Sequence, residues 1–310
     1  MSALICGSLA YDTIMVFHDR FTNHILPDKI HVLSVSFLVP QLRREFGGCA
    51  GNIAYNLELL GGDPRPMATV GKDFDPYYQW MDRCGIDHRY VTRIDTEYTA
   101  QAFITTDLDD NQITAFHPGA MNSAHLNDVR DASGVTIGIV APDGREAMVE
   151  HASQFAECGT PFIFDPGQGL PMFDGDDLRR FIDLATWLTV NDYEWEVVRE
   201  RTGLDAAAVA SKVQALIVTR GAQGSVVHAG GSTIEIPPAR AGDTVDPTGC
   251  GDAFRAGLIF GLANEMDWDT TGRLASLMGA LKVEQPGTQN HQCTRAELES
   301  RFRESFGRSL

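Results

Sequence analysis

The chain has 310 residues, 43% of them hydrophobic, enough to fill the core of one large α/β domain or two modest ones. Its 25 basic and 42 acidic side chains leave a formal net charge of −17, and so acidic a surface repels phosphate backbones and anionic lipid, which argues against nucleic-acid and membrane partners. Six scattered cysteines without a Cys-x-x-Cys pair, and no apolar run near the ~18 residues of a membrane span, make free thiols and a cytoplasmic location the expectation.

Residues Ala3–Gly7 form a short apolar run bounded by small residues, which predicts a buried strand delivering Ser8 and Asp12 at its C-terminal end, where open α/β sheets bind ligands. Taken alone, Asp12 reads as a turn or surface carboxylate. Alternating segments follow at 13–17 and 31–39, joined through Pro27, and a second pair at 100–106 and 112–116 flanks the reversal Asp107–Asn111. These predict a small separate sheet serving as a lid, or else edge hairpins of the main sheet.

Gly47-Gly48 opens a helix in which Ile53, Leu57 and Leu60 repeat at helical spacing, with Asn52 and Asn56 on another face. An amide such as Asn52 at a helix start is ordinarily a cap. Farther on, short apolar strands at 67–70, 135–141, 161–165, 186–190 and 215–219 alternate with helical patterns such as 176–185 and 194–202. That order predicts a mostly parallel sheet covered by helices on both faces.

Asn191-Asp-Tyr-Glu194 follows one of these strands, so its oxygens, three residues apart, could order magnesium; Glu194 reads equally as a solvated first-turn glutamate. Thr219-Arg220-Gly221-Ala-Gln-Gly224 is a strand-to-turn segment able to touch phosphates, although Arg220 alone is more simply a surface residue.

The most informative stretch is Asp243–Phe254. Gly249 and Gly251 permit the N–H groups of Gly249, Cys250, Gly251 and Asp252 to converge at the start of the helix that runs to Ala263. Helix dipole and amides together favour an anion there, and Asp252 at its edge is either a helix-start aspartate or a base. The same field favours the ionised form of Asp252, so no large upward pKa shift is needed for it to act as a base at neutral pH. A Walker-type loop is excluded, because the only Gly-Lys, Gly71-Lys72, is followed by Asp73; a dinucleotide fingerprint fails at Phe254. Helical patterns at 269–283 and 294–306 then enclose the loop Gln285–His291.

Asp246-Pro-Thr-Gly-Cys-Gly-Asp-Ala-Phe254 resembles the C-terminal motif of the ribokinase-like (PfkB) family of sugar and nucleoside kinases, and Arg255-Ala256-Gly257 is similar to its bacterial adenosine and nucleoside kinase branch. Gly47-Gly48-Cys-Ala-Gly51-Asn52 with Leu60-Gly-Gly resembles the family's N-terminal motif, at the family's spacing. Cys250 stands where many relatives carry alanine.

The resemblance implies a ribokinase-like α/β domain over 1–310, with a lid from about 13–46 and 99–118, and ATP-dependent phosphorylation of the 5′-hydroxyl of adenosine or a related purine nucleoside in purine salvage. It casts Asp252 as base, with the amides of Gly249, Cys250 and Gly251 as anion hole. Ser8, Asp12, Gly48 and Asn52 would hold the ribose, Phe103 and Phe116 would sandwich the base, and Gln168 would touch it. Asn191, Thr219, Arg220, Gly221 and Gly224 would meet the ATP phosphates, Asn191 and Glu194 would order Mg2+ through water, and Asp246 with Thr248 would help enclose K+. The 285–291 loop would border the nucleotide's base. If the lid strands leave an open edge, two subunits can pair lid to lid and bury apolar surface that a monomer would expose. A ribokinase- or fructokinase-like sugar kinase, and a non-catalytic nucleotide- or sugar-binding regulator, are the rival expectations.

Overall fold

Along the strand Ser2–Cys6 (β1), Ala3 and Ile5 enter one core and Leu4 and Cys6 another, each 2% exposed or less, so β1 must lie inside a sheet covered on both faces. The computed structural model describes residues 2–25, 31–32, 34–109 and 111–310. After β1 come the strands Ala10–Val16 (β2), Gln41–Gly47 (β3), Asp63–Gly71 (β4), Tyr90–Ile94 (β5), Ala100–Thr106 (β6), Gln112–His117 (β7), Val135–Val140 (β8), Phe162–Phe164 (β9), Trp187–Asn191 (β10), Ala215–Thr219 (β11), Ser225–Ala229 (β12) and Ser232–Ile236 (β13). The helices are Cys49–Leu59 (α1), Asp75–Cys84 (α2), Arg145–Cys158 (α3), Gly175–Leu184 (α4), Asp192–Thr202 (α5), Ala206–Ala210 (α6), Cys250–Ala263 (α7), Trp268–Val283 (α8) and Arg295–Phe306 (α9).

The large sheet has the order β13-β12-β11-β10-β9-β8-β1-β4-β5, parallel except where β12 runs against its two neighbours. Helices α1, α2, α7 and α8 cover one face and α3, α4 and α5 the other. This is the expected ribokinase-like architecture. It brings the C-terminal ends of β1, β8, β9, β10 and β11 to one edge, and the N-termini of α1 and α7 to that same edge. Among the described residues, no helix is long and apolar enough to cross a membrane.

A separate four-stranded sheet, order β3-β2-β6-β7, carries the alternating segments, which are therefore not edge hairpins of the main sheet. One expected strand is displaced. Residues 34–39 have no regular structure and the strand is β3, Gln-Leu-Arg-Arg-Glu-Phe-Gly, while Pro27 and residue 33 of the expected segment lie outside the described residues. Gln41, Arg43 and Glu45 make one of its faces polar and Arg44 interrupts Leu42 and Phe46 on the other, so hydrophobic periodicity selects the apolar stretch before it instead. The hairpin β12–β13 also escaped that reading, although Gly230 and Gly231 between its arms both take positive φ, 56° and 76°, as a two-residue hairpin turn requires.

Candidate active site

The connection from β1 to β2 packs against the start of α1 with almost no space between backbones. Gly48 caps α1 at φ 86°, and a Cβ there would lie 2.5 Å from the Ser8 carbonyl oxygen, so only glycine admits this approach. Ser8 is absorbed by the same junction. Its hydroxyl accepts from Cys49 N–H at 3.2 Å and its carbonyl from Ala50 N–H at 2.9 Å, so it docks the helix before it can touch a ligand.

One turn into α1, Asn52 is buried. Its Nδ2 donates to Asp252 Oδ2 at 2.8 Å, and its Oδ1 accepts from Gln289 Nε2 at 3.0 Å. It is thus not the helix cap, a place taken by Gly48, but links the two glycine motifs. Gln289 continues the chain, donating to Tyr77 Oη at 2.7 Å and accepting from Trp80 Nε1 at 2.8 Å, while Tyr77 donates to the Gly47 carbonyl at 2.9 Å. The loop that was expected to border a nucleotide base therefore folds back onto α1, where His291 also meets Asn56 Oδ1 at 2.7 Å. None of Gln289, Tyr77 and Trp80 stands out in sequence, because their partners lie far along the chain.

Gly249 takes φ 80° and caps α7. Cys250 N–H closes a turn onto the Pro247 carbonyl at 3.2 Å, so it does not join the expected cradle; the N–H groups of Gly249, Gly251 and Asp252 have no acceptor among the described residues. Beside these donors stands Asp252. Burial raises its pKa to about 6; the Asn52 hydrogen bond and the Arg255 charge oppose that rise, and Asp165 adds to it. Desolvation outweighs amides and dipole, yet the carboxylate still ionises below neutrality and so is charged at neutral pH, as expected of a base.

Arg255, one turn on, is almost completely enclosed. Its guanidinium donates to both oxygens of Asp165, each at 2.9 Å, and to the Gly251 carbonyl at 3.3 Å, with Glu194 at 4.0 Å. A bidentate buried pair of this kind fixes α7 against the end of β9. Glu194 itself forms a reciprocal cap with Asn191, each backbone N–H donating to the other's side chain at 2.7 Å. It is half-buried and not the solvated first-turn residue of the simpler reading, and burial raises its pKa.

Asp12 projects from β2 into a cleft of about 950 Å³ between the small sheet and the segments around Asp246–Thr248 and Pro286–Thr288. Burial first, then the charges of Glu45 and Asp246, push its pKa up to about 6. The register of the small sheet decides what else looks into this cleft. Asp12 pairs with Ala102, and Ala102 with Phe116, so these share a face; Phe103 pairs with Thr13 and Ala115 and lies on the other face. The two phenylalanines therefore cannot sandwich one ring within a subunit.

At the far edge, Thr219 ends β11 and Arg220 N–H donates to the Gly224 carbonyl at 2.8 Å across the turn Gly221–Gln223. The Arg220 guanidinium pairs with Glu235, a partly exposed ion pair. Gln168 is exposed in the turn Gly167–Met172 after β9. Asp246 accepts from Thr248 N–H and Gly287 N–H, both at 2.9 Å.

A carboxylate that ionises near pH 6, beside three unpaired amides at a helix N-terminus, suits removal of a hydroxyl proton next to a bound anion. Comparison with known proteins agrees. The pfkB family carbohydrate kinase pattern matches residues 9–295. The chain superposes on Burkholderia thailandensis nucleoside kinase in complex with inosine with a TM-score of 0.90 and 54% identity, covering 99% of each chain. For the same protein in complex with ADP-inosine the values are 0.88 and 56%, covering 99% of this chain and 97% of that one. A Methanocaldococcus jannaschii nucleoside kinase is 30% identical over 260 residues, 83% of this chain and 85% of the relative.

Proposed function

The chain belongs to the pfkB family of carbohydrate kinases and is a phosphotransferase with an alcohol acceptor, and we propose that it moves the γ-phosphoryl group of ATP to the 5′-hydroxyl of a purine nucleoside such as inosine or adenosine. The observation that carries this reading is the Asn52–Asp252 hydrogen bond, which ties the cleft that holds Asp12 to the amide-rich turn at the start of α7. A nucleoside bound in the cleft would give its ribose hydroxyls to Asp12 and direct its 5′-oxygen toward Asp252.

The chemistry then balances simply. The 5′-oxygen forms a bond to the γ-phosphorus as the bond from that phosphorus to the bridging oxygen of ADP breaks. The hydroxyl proton passes to Asp252. Charge on the transferring group is met by the N–H groups of Gly249, Gly251 and Asp252, which need no reorganisation to receive it. Asn52 holds the base in place, and Arg255 holds the Gly251 carbonyl from behind.

Magnesium fits beside Glu194. Among the described residues no three acidic, histidine or cysteine side chains gather into a metal cage, so its inner ligands would be ATP oxygens and water, with Glu194 ordering the water; the ion would supply charge neutralisation of the triphosphate. Thr219 and Gly221 line the edge that the triphosphate would follow. The small sheet would act as the lid, with Phe116 offering a flat apolar surface to the purine. Two subunits pairing through exposed lid surface, and a cytoplasmic site of action, complete the proposal. Turnover of ATP against adenosine, inosine, guanosine, cytidine, ribose and fructose tests it; phosphorylation of the free sugars alone would refute it.

A further inference from the structure

Lys282, in the last turn of α8, is 0% exposed, an environment that a cation tolerates only when oxygen atoms surround it. Its ammonium donates to the Asp246 carbonyl at 2.7 Å and the Gln285 carbonyl at 3.1 Å. Each carbonyl belongs to one of the two segments that frame the catalytic turn. Asp246 opens the run leading to Gly249, and its carboxylate reaches across to Gly287 N–H at 2.9 Å. Gln285 opens the loop whose Thr288 donates to the Phe46 carbonyl at 2.6 Å and whose Gln289 supports Asn52.

Backbone carbonyls turned onto one point between two loops form the donor set of a hard monovalent cation. Here the chain's own ammonium fills it. A second positive charge beside Lys282, with little water to separate them, would be strongly repelled, so Asp246 and Thr248 do not fit the expected K+. Burial lowers the Lys282 pKa, whereas the Asp246 and Cys250 side chains favour its charged form.

We propose that Lys282 is a tethered cation that replaces a free monovalent ion, clamping the 246–249 segment to the 285–289 loop so that the α7 amides are positioned without added K+. This rests on the phosphotransferase activity and not on which nucleoside is used. Lys282 is a positioning residue, since its ammonium is engaged by the two backbone carbonyls and acts through the segments that carry them.

The test compares kcat in choline chloride with kcat in potassium chloride. Wild type should be unchanged within about twofold, whereas Lys282→Met should lose about 10- to 100-fold through misplacement of the turn and regain rate when K+ or methylammonium is supplied. Potassium should also raise the Tm of Lys282→Met while leaving that of wild type unmoved. A wild type that works only with K+ overturns the proposal, as does a methionine variant with full rate in choline or a loss that neither cation restores. If the variant does not fold, the wild-type comparison decides alone: independence of K+ supports the proposal and a requirement for it refutes it. No turnover under any cation with any acceptor would instead strike at the kinase assignment.

Discussion

Asn52 Nδ2 donates to Asp252 Oδ2 at 2.8 Å, although the two residues stand 200 positions apart in the chain. The bond does two things at once: it fixes one carboxylate oxygen against α1 and favours the ionised form. Asn52→Asp, nearly the same shape, removes the donor and sets a second carboxylate against the first. The coupled pair should then give up its last proton at higher pH, so the acid limb of the kcat profile should move up by about one unit or more. An unmoved limb would mean that Asn52 serves only the fold.

In the wild type, a base with a pKa of about 6 must be ionised to act, so kcat should rise with pH through about 6 and level off above neutrality. At pH 5 only about a tenth of the molecules would carry the ionised base. Stability should not follow the same curve. Asp12 and Asp252 both bind a proton more tightly folded than unfolded, so through these groups acidification from about pH 6 toward 4 favours the native state even while rate is lost. Rate and thermal stability measured across that range should therefore diverge.

Arg255→Met removes the cation from between Asp165, Glu194 and the Gly251 carbonyl and leaves the Asp165 carboxylate buried and unpaired. The loss should be about 3–5 kcal/mol in urea unfolding. The double variant Arg255→Met/Asp165→Leu should recover much of that stability, because the fully enclosed Asp165 charge is gone and only the less buried Glu194 and Asp252 carboxylates have lost their cation, but it should not recover kcat.

The register of the small sheet separates two residues that composition alone treats alike. Phe116→Ala should raise the nucleoside KM, whereas Phe103→Ala should leave it within about twofold, and neither should change the KM for ATP. Equal effects at both positions would contradict Phe116 alone as the surface presented to the purine.

The elements that could be read from the sequence are those whose signal is local. Gly48 and Gly249 mark helix starts because their backbones need angles other residues avoid, and β1 and β11 show as apolar runs because both faces are buried. Asp252 was legible as a base candidate from the glycines around it. Its partner was not: nothing in the helical spacing of α1 says that Asn52 meets α7, or that Gln289 returns to support it. The same limit hid the Arg255–Asp165 pair, formed between residues 90 positions apart. β3 was missed for a different reason, since its long polar side chains give no hydrophobic period. The size of the Asp252 shift is not legible either, because amides and dipole can be counted from sequence, whereas desolvation depends on the residues that α1 and α7 bring around the carboxylate.

Asp252 is the residue that would take the proton of the attacking hydroxyl. Asp252→Asn keeps the side chain's size and an oxygen to accept from Asn52 but removes the proton acceptor, so kcat with inosine or adenosine and saturating ATP should fall by about 10²–10⁴ while nucleoside affinity by calorimetry changes little. Asp12→Ala should show the reverse emphasis, weakening binding more than turnover. A folded Asp252→Asn enzyme with near-normal kcat would contradict the account and leave Asp252 as a helix-start residue.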